Sequence, residues 1–170
     1  MCGIALGVWH HEDTQPRDAW TSVISQIQRR GRDAYHSVAC TQDGIRWELH
    51  ASVLCLRGKE LTPQPITSQD GHLHLAWNGQ IFSSEHEDDP LLDMEKNDGA
   101  IIMTRLEEHA DQIPDVLVST LSAVDGPYAF VLVDTRNTCV YYGRDPLGRR
   151  SLLHTTTHGA WHLACLLYTS

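Results

Sequence analysis

In this 170-residue chain, Cys2 combines the residue type and the position from which covalent chemistry starts most easily. Cys2 is small and follows Met1, so removal of the initiator methionine would leave a free α-amine on the same residue as the thiol. An unperturbed α-amino group titrates at about 7.7–8.0, so a useful fraction is neutral near neutral pH. Such an amine can take the thiol proton directly or through one water. Nucleophile and base then come from one residue, and no separate Cys–His pair is required. Taken alone, Met1-Cys2-Gly3 fits a small buried apolar cysteine at the start of a strand better than a nucleophile.

Three further positions carry polar groups at places where the chain changes structure. Arg57 continues the period-two face formed by Ile45, Trp47, Leu49, Ala51, Val53 and Cys55. A charged group pointing the way core residues point must reach an opening or find a partner. Asn78-Gly79 closes an apolar strand and by itself fits a hairpin turn. Asp98 opens a helix and by itself fits an N-cap. The eleven histidines include two close pairs, His10-His11 and His72/His74. No cysteine or carboxylate nearby completes a ligand set at usual spacing, so no metal site is expected. Cys2, Cys40, Cys55, Cys139 and Cys165 are odd in number and widely spaced, which fits free thiols rather than a disulfide framework.

The elements that must position these groups can be read from periodicity and punctuation. GIALGVW, residues 3–9, reads as a short buried strand. Asp13, Thr14 and Pro16 signal a helix start, and Trp20, Val23, Ile24 and Ile27 recur at helical spacing. Arg29-Arg30-Gly31 ends that helix. Strands are expected over 35–41, 45–57 and 72–78, with a proline-bearing loop over 59–71. The acidic stretch from Ser83 to Asn97, broken by Pro90, reads as an exposed loop. Helices follow from Asp98 and over 114–122. An apolar strand spans 128–134, with a hairpin partner at 138–143. The turn Asp145-Pro146-Leu147-Gly148 comes next, then a final strand from Ser151. Pattern alone gives an α+β fold, mainly antiparallel sheet with helical layers.

Composition narrows the function classes. One domain fits this length. Apolar residues make up 41%, enough for a core. With 22 acidic against 13 basic residues the formal charge is −9, which argues against nucleic acid as a partner. No segment approaches the roughly 20 apolar residues of a membrane span. No basic region leads into an apolar run as in a signal peptide, so a cytoplasmic location is expected.

Seven motifs occur in order: MCGI, RRGRD, LRG followed by QP, WNGQIF, ND before a helix, GPYAFVLVD and GRDPLGRRSLL. In that order and spacing the chain resembles the N-terminal domain of class II glutamine amidotransferases, the N-terminal-nucleophile hydrolases that include asparagine synthetase. The motif style is nearer to asparagine synthetase domain-containing proteins than to a typical synthetase. The resemblance runs from Met1 to about Leu153. It implies a four-layer αββα sandwich over residues 1–164. The remaining 165–170, CLLYTS, resemble the translation of a sequencing-library end and are expected to be an artefactual tail.

It also implies residue roles. Cys2 matches the nucleophile. Asn78 and Gly79 match the oxyanion hole, for which a side-chain and a backbone N–H are suitable donors. Arg57 matches the arginine that grips the glutamine α-carboxylate with its guanidinium fork. Asp98 matches the acid that holds the α-amine, and Gln80 stands where a substrate-contacting glutamate is common. Arg30 and Asp33 match a supporting Arg-Gly-Pro-Asp segment in which Arg32 here replaces proline. Arg144 and Asp145 match a structural turn. The loop between Arg57 and Gln64-Pro65 is shorter than in ordinary synthetases. The implied activity is glutamine hydrolysis through a cysteinyl thioester, supplying ammonia to an ATP-dependent synthetase-like domain. No cofactor is expected in this domain. ATP and Mg belong to a C-terminal domain outside the chain, and no phosphate-cradling loop is present. The competing reading is a catalytically weak or inactive interaction module, motivated by Gln80 and the short loop.

Overall fold

The computed structural model describes residues 2–12, 17–85, 89–93, 95–157 and 159–165. The helix-start signal at Asp13, Thr14 and Pro16 lies outside them. Among the described residues, strand β1 (Gly3–His10) runs through the middle of the larger sheet. Ile4, Ala5 and Leu6 are all inaccessible, so both faces of β1 are covered. That explains why it reads as a continuous apolar run rather than an alternation. It pairs antiparallel with β3 (Ile45–Val53) on one side and with β11 (Ala160–Ala164) on the other. β2 (Ala34–Gln42) and β10 (Leu153–Thr157) complete the sheet, in the order β10-β11-β1-β3-β2.

A second antiparallel sheet has the order β4-β5-β8-β9, formed by Ile66–Thr67, Leu73–Gly79, Tyr128–Asp134 and Cys139–Arg144. A two-stranded ribbon joins β6 (Ser83–Ser84) to β7 (Val124–Asp125). Helices are α1 (Arg17–Arg30), α2 (Asp98–Glu108) and α3 (Asp115–Ser122).

Three apolar clusters hold these parts together. Ile4, Leu6, Trp47, Leu49 and Ala51 of the larger sheet meet Ala76, Val131 and Val133 of the smaller one. Trp20 and Ile27 of α1 pack with Ala5 on the other face of the larger sheet. Leu73, Leu75, Trp77, Phe130 and Leu132 pack with Ile102, Met103 and Leu106 of α2 and Leu117 of α3. Side chains alternate along a strand. On β5, therefore, Leu73, Leu75 and Trp77 serve the helices, while Ala76 faces the larger sheet and Asn78, two residues on, points the same way. Cys2 extends the parity of Ile4 and Leu6. Nucleophile candidate and amide thus project from two facing sheets.

The structure departs from the sequence reading in three places. The strand expected over 45–57 stops at Val53. The N–H of Cys55 donates to Asp33 Oδ2 at 2.7 Å instead of to a ladder partner, and the chain leaves the sheet. Cys55 is exposed as a result, and Arg57 reaches the interior from a loop. The loop over 59–71 contains β4, which pairs with β5. The Ser83–Asn97 stretch is not simply exposed: Leu91 is fully buried in a 3-10 turn at Pro90–Leu92, and Asp89 caps that turn and pairs with Arg105. Cys165, just past β11, is buried, and its sulfur accepts the Ile4 N–H at 3.1 Å.

Beneath α1, His50 is held between two oxygens. Its Nδ1 lies 2.7 Å from the Tyr35 hydroxyl and its Nε2 lies 3.3 Å from Glu48 Oε2. Trp20 stands edge-on to it, and Arg46 bonds Glu48 from outside. Burial opposes ionisation of Glu48, but hydrogen bonds from Arg46, His50 and Trp20 outweigh it and keep the carboxyl below its usual range. Burial lowers His50, and likewise His74 and His162, below the ordinary imidazole value of 6.5. The unfolded chain therefore takes up these protons at higher pH than the folded one. Stability present above pH 6.5 should be lost as pH falls below it. The midpoint of urea unfolding is expected to be lower at about pH 5.5 than at about pH 7.5, and His50→Gln should flatten part of that slope.

Candidate active site

Cys2, Arg57, Asn78, Gly79, Gln80 and Asp98 line one narrow cavity of about 30 Å³. They arrive by four routes: Cys2 just before β1, Arg57 from the loop after β3, Asn78-Gly79-Gln80 at the end of β5, and Asp98 at the start of α2.

Cys2 immediately precedes β1, and its sulfur lies 3.8 Å from the carbonyl of Leu54. Burial pushes its thiol above the usual cysteine value, which the contact with Leu54 only partly offsets. A buried thiol of this kind is a poor nucleophile until a base removes its proton.

Asn78 and Gly79 end β5 opposite Ala129 and Tyr128 and continue into Gln80 rather than turning back as a hairpin. Gly79 is required by space, because a Cβ there would lie 2.6 Å from Tyr128 Cβ. Asn78 is 2% exposed, yet its Nδ2 has no hydrogen-bond partner among the described residues. A buried amide donor left unpaired is destabilising by about 1–3 kcal/mol.

Arg57 is buried, and its guanidinium is extensively engaged. Nη1 donates to Ile81 O at 3.0 Å, while Nη2 donates to Leu91 O at 2.5 Å and Asp93 O at 3.0 Å. Nη1 also lies 3.7 Å from Asp98 Oδ2. Asp98 is the first residue of α2 but not its cap: Asn97 fills that role by accepting from Ala100 N at 3.2 Å. The Asp98 carboxylate instead accepts from Ile81 N and Gly99 N, both at 3.1 Å. Burial raises its carboxyl above the usual range, and Arg57 is the largest influence in the opposite direction.

Arg30 and Asp33 do not line the cavity. Arg30 Nη1 donates to the carbonyl of Cys165 at 2.9 Å. Asp33 holds Cys55 N, and its own N–H donates to Val53 O at 3.0 Å. Together with Gly31, where a Cβ would meet Val53 N at 2.4 Å, this segment fixes the point at which the chain leaves β3 toward Arg57. Arg144 is exposed. Asp145 is buried and accepts from Tyr128 N, Leu147 N and both the main-chain N–H and the guanidinium of Arg149, which organises the turn.

Three lining residues escape a residue-by-residue reading. Gln64 is buried and accepts the Trp77 N–H at 2.6 Å through Oε1, which braces the strand that carries Asn78. Its signal is the QP pair after LRG. Asn97 carries the helix cap next to Asp98. Arg150 also faces the cavity, and its buried Nε has no partner among the described residues. It belongs to GRDPLGRRSLL, a motif whose first Arg-Asp pair draws attention away from it. Among the described residues, no group of three or more His, Cys, Asp or Glu could hold a metal ion.

The sequence profile of the glutamine amidotransferase domain matches residues 1–166. The chain belongs to the glutamine amidotransferase domain family. It is similar to asparagine synthetase domain-containing protein 1 of Bos taurus, with 32% identity over 166 residues, covering 98% of this chain and 23% of the relative. An asparagine synthetase domain-containing protein of Saccharomyces cerevisiae is 28% identical over 148 residues, covering 85% and 25%. Asparagine synthetase [glutamine-hydrolyzing] of Asparagus officinalis is 30% identical over 152 residues, covering 87% and 24%. The amidotransferase domain here thus spans about a quarter of the length of these relatives. Their remaining length implies a further domain in proteins of that type. No helix among the described residues is long and apolar enough to cross a membrane.

Proposed function

We propose that this amidotransferase domain hydrolyses L-glutamine to glutamate and ammonia, with Cys2 as nucleophile. The observation that carries the reading is that Asn78, buried with its amide unpaired, lines the same cavity as Cys2. Once Met1 is removed, the α-amine of Cys2 accepts the thiol proton and the sulfur attacks the glutamine carboxamide. Asn78 Nδ2 and the Gly79 backbone receive the developing oxyanion. The protonated amine gives its proton to the departing nitrogen, so ammonia leaves and a γ-glutamyl thioester remains. Water then cleaves the thioester, releasing glutamate and restoring the thiol. Arg57, Asp98 and Gln80 hold the amino-acid end of the substrate.

The finer architecture we infer is the four-layer αββα sandwich of N-terminal-nucleophile hydrolases. Its support is the sequence of three apolar clusters: α1 on one sheet, that sheet on the second, and the second on α2 and α3. The ammonia would serve an asparagine-synthetase-like domain using ATP and Mg, in the cytoplasm.

One observation favours a second reading, a weak or inactive scaffold. The cavity has room for one or two water molecules, far less than an amino acid needs. Under the enzymatic reading it must widen when glutamine enters. Glutamate release by the Met-processed chain separates the two: no release, with Cys2 verified as the terminal residue, would favour the scaffold. Asn78→Ala should lower turnover roughly 10²–10³-fold with little change in fold, as loss of one oxyanion donor does. An equal rate in the variant would remove Asn78 from the mechanism. A glutamine-analogue electrophile should label Cys2 by mass spectrometry; labelling only at Cys40, Cys55 or Cys139 would count against it.

A further inference from the structure

Two guanidinium groups border the Cys2 cavity, and each has one buried donor left over. Both Nη atoms of Arg57 already bond carbonyls, which leaves Nε without a partner. Arg57 therefore cannot present a two-pronged fork to a carboxylate while that cage is intact. Arg150 enters from the opposite part of the chain, two residues past the turn organised by Asp145. Its Nε is likewise buried and unpaired, and no carboxylate among the described residues pairs with it.

The charges point the same way. The cavity is lined by Arg57, Asp98 and Arg150, two cations and one anion. Asp98 lies within ion-pair distance of Arg57, so among the described residues lining the cavity Arg150 is the cation left over. An incoming α-amino acid brings an ammonium and a carboxylate. If Asp98 takes the ammonium, a cation with spare donors must take the carboxylate.

Building on the glutaminase reading, we propose that Arg150 is a substrate-binding residue and that the glutamine α-carboxylate is held jointly. One carboxylate oxygen accepts from Arg57 Nε and the other from the guanidinium of Arg150. The two orphaned donors are satisfied together only when a ligand with two acceptor oxygens is present. This makes Arg150 a determinant of selectivity for a free α-carboxylate.

The test is calorimetric titration of the Met-processed chain carrying Cys2→Ala, which cannot turn over, with L-glutamine and with its α-amide. The parent should bind glutamine more tightly than the α-amide. Adding Arg150→Gln should weaken glutamine binding roughly 10- to 100-fold, the range of charge-assisted hydrogen bonds, and leave α-amide binding within about two-fold. Arg150→Lys, which keeps the charge but not the fork, should recover part of the loss. Thermal unfolding of each variant verifies that the fold is retained. If Arg150→Gln binds glutamine as tightly as the parent, the joint grip is wrong and the glutaminase reading stands. If the parent binds neither ligand and the Cys2 protein releases no glutamate, the glutaminase reading falls and takes this inference with it.

Discussion

Cys2→Ser is expected to reduce glutamine hydrolysis on the order of 10⁴-fold or more, the scale seen when a nucleophile is removed from an otherwise intact site. Serine retains the shape and permits removal of Met1, so the terminal amine is still available. What changes is the atom. Burial already pushes the Cys2 thiol above its ordinary value. An alcohol in the same place is far harder to deprotonate, and an amine of ordinary basicity cannot activate it to a comparable degree. Unfolding temperature should hardly move, because among the described residues the hydrogen-bond contact of the Cys2 sulfur is a long one, 3.8 Å to Leu54 O. Glutamate release followed by a coupled assay measures the rate. A serine variant retaining more than about one-tenth of the activity would show that the chemistry runs elsewhere. Blocking the terminal amine by retaining Met1 should have an effect of similar direction, since it removes the base and leaves the sulfur.

Arg57→Met is expected to destabilise the domain by about 3–5 kcal/mol, the range for removing one member of a buried ion pair. For a chain of this size that corresponds to a fall of roughly 6–20 °C in the unfolding midpoint. Arg57 gathers three carbonyls from Ile81, Leu91 and Asp93 and lies beside the Asp98 carboxylate. Methionine fills much of the volume but offers no donor, so buried acceptors are left unpaired. These acceptors belong to the stretch between β5 and α2, which contains no long element among its described residues. Arg57 is therefore the tie that holds this stretch against the site. Differential scanning calorimetry provides the measurement. A midpoint within about 2 °C of the parent would show that the cage contributes little and that Arg57 acts on substrate alone. Cys2→Ser thus falls on rate with the fold retained, whereas Arg57→Met falls on stability as well as on substrate binding.

Several elements are legible in the amino-acid sequence alone. The 3.6-residue recurrence of Trp20, Ile24 and Ile27 and the apolar run of 128–134 correspond to α1 and β8. The parity of Trp47, Leu49, Ala51 and Val53 correctly marks a buried face, because alternation is a local property of the extended chain. Other features are not legible there because their causes are remote in sequence. β3 stops at Val53 because Asp33, 22 residues before Cys55, takes the next free N–H. Leu91 is buried within an acidic stretch because an apolar cluster from β5, β8 and α2 closes over it.

For the site, the sequence by itself determined which groups are available: a thiol on the second residue, an amide before a glycine, a buried-face arginine and an acid at a helix start. Their ordered motifs also carried the family. Only the tertiary structure decided that Cys2 and Asn78 share one cavity, since that depends on two sheets stacking with matched parity. It also decided that Arg57 is bound by carbonyls and that Arg150 is left with a spare donor. Hydrogen-bond satisfaction is a property of the assembled interior, and nothing in the spacing of residues along the chain encodes which donor finds no partner.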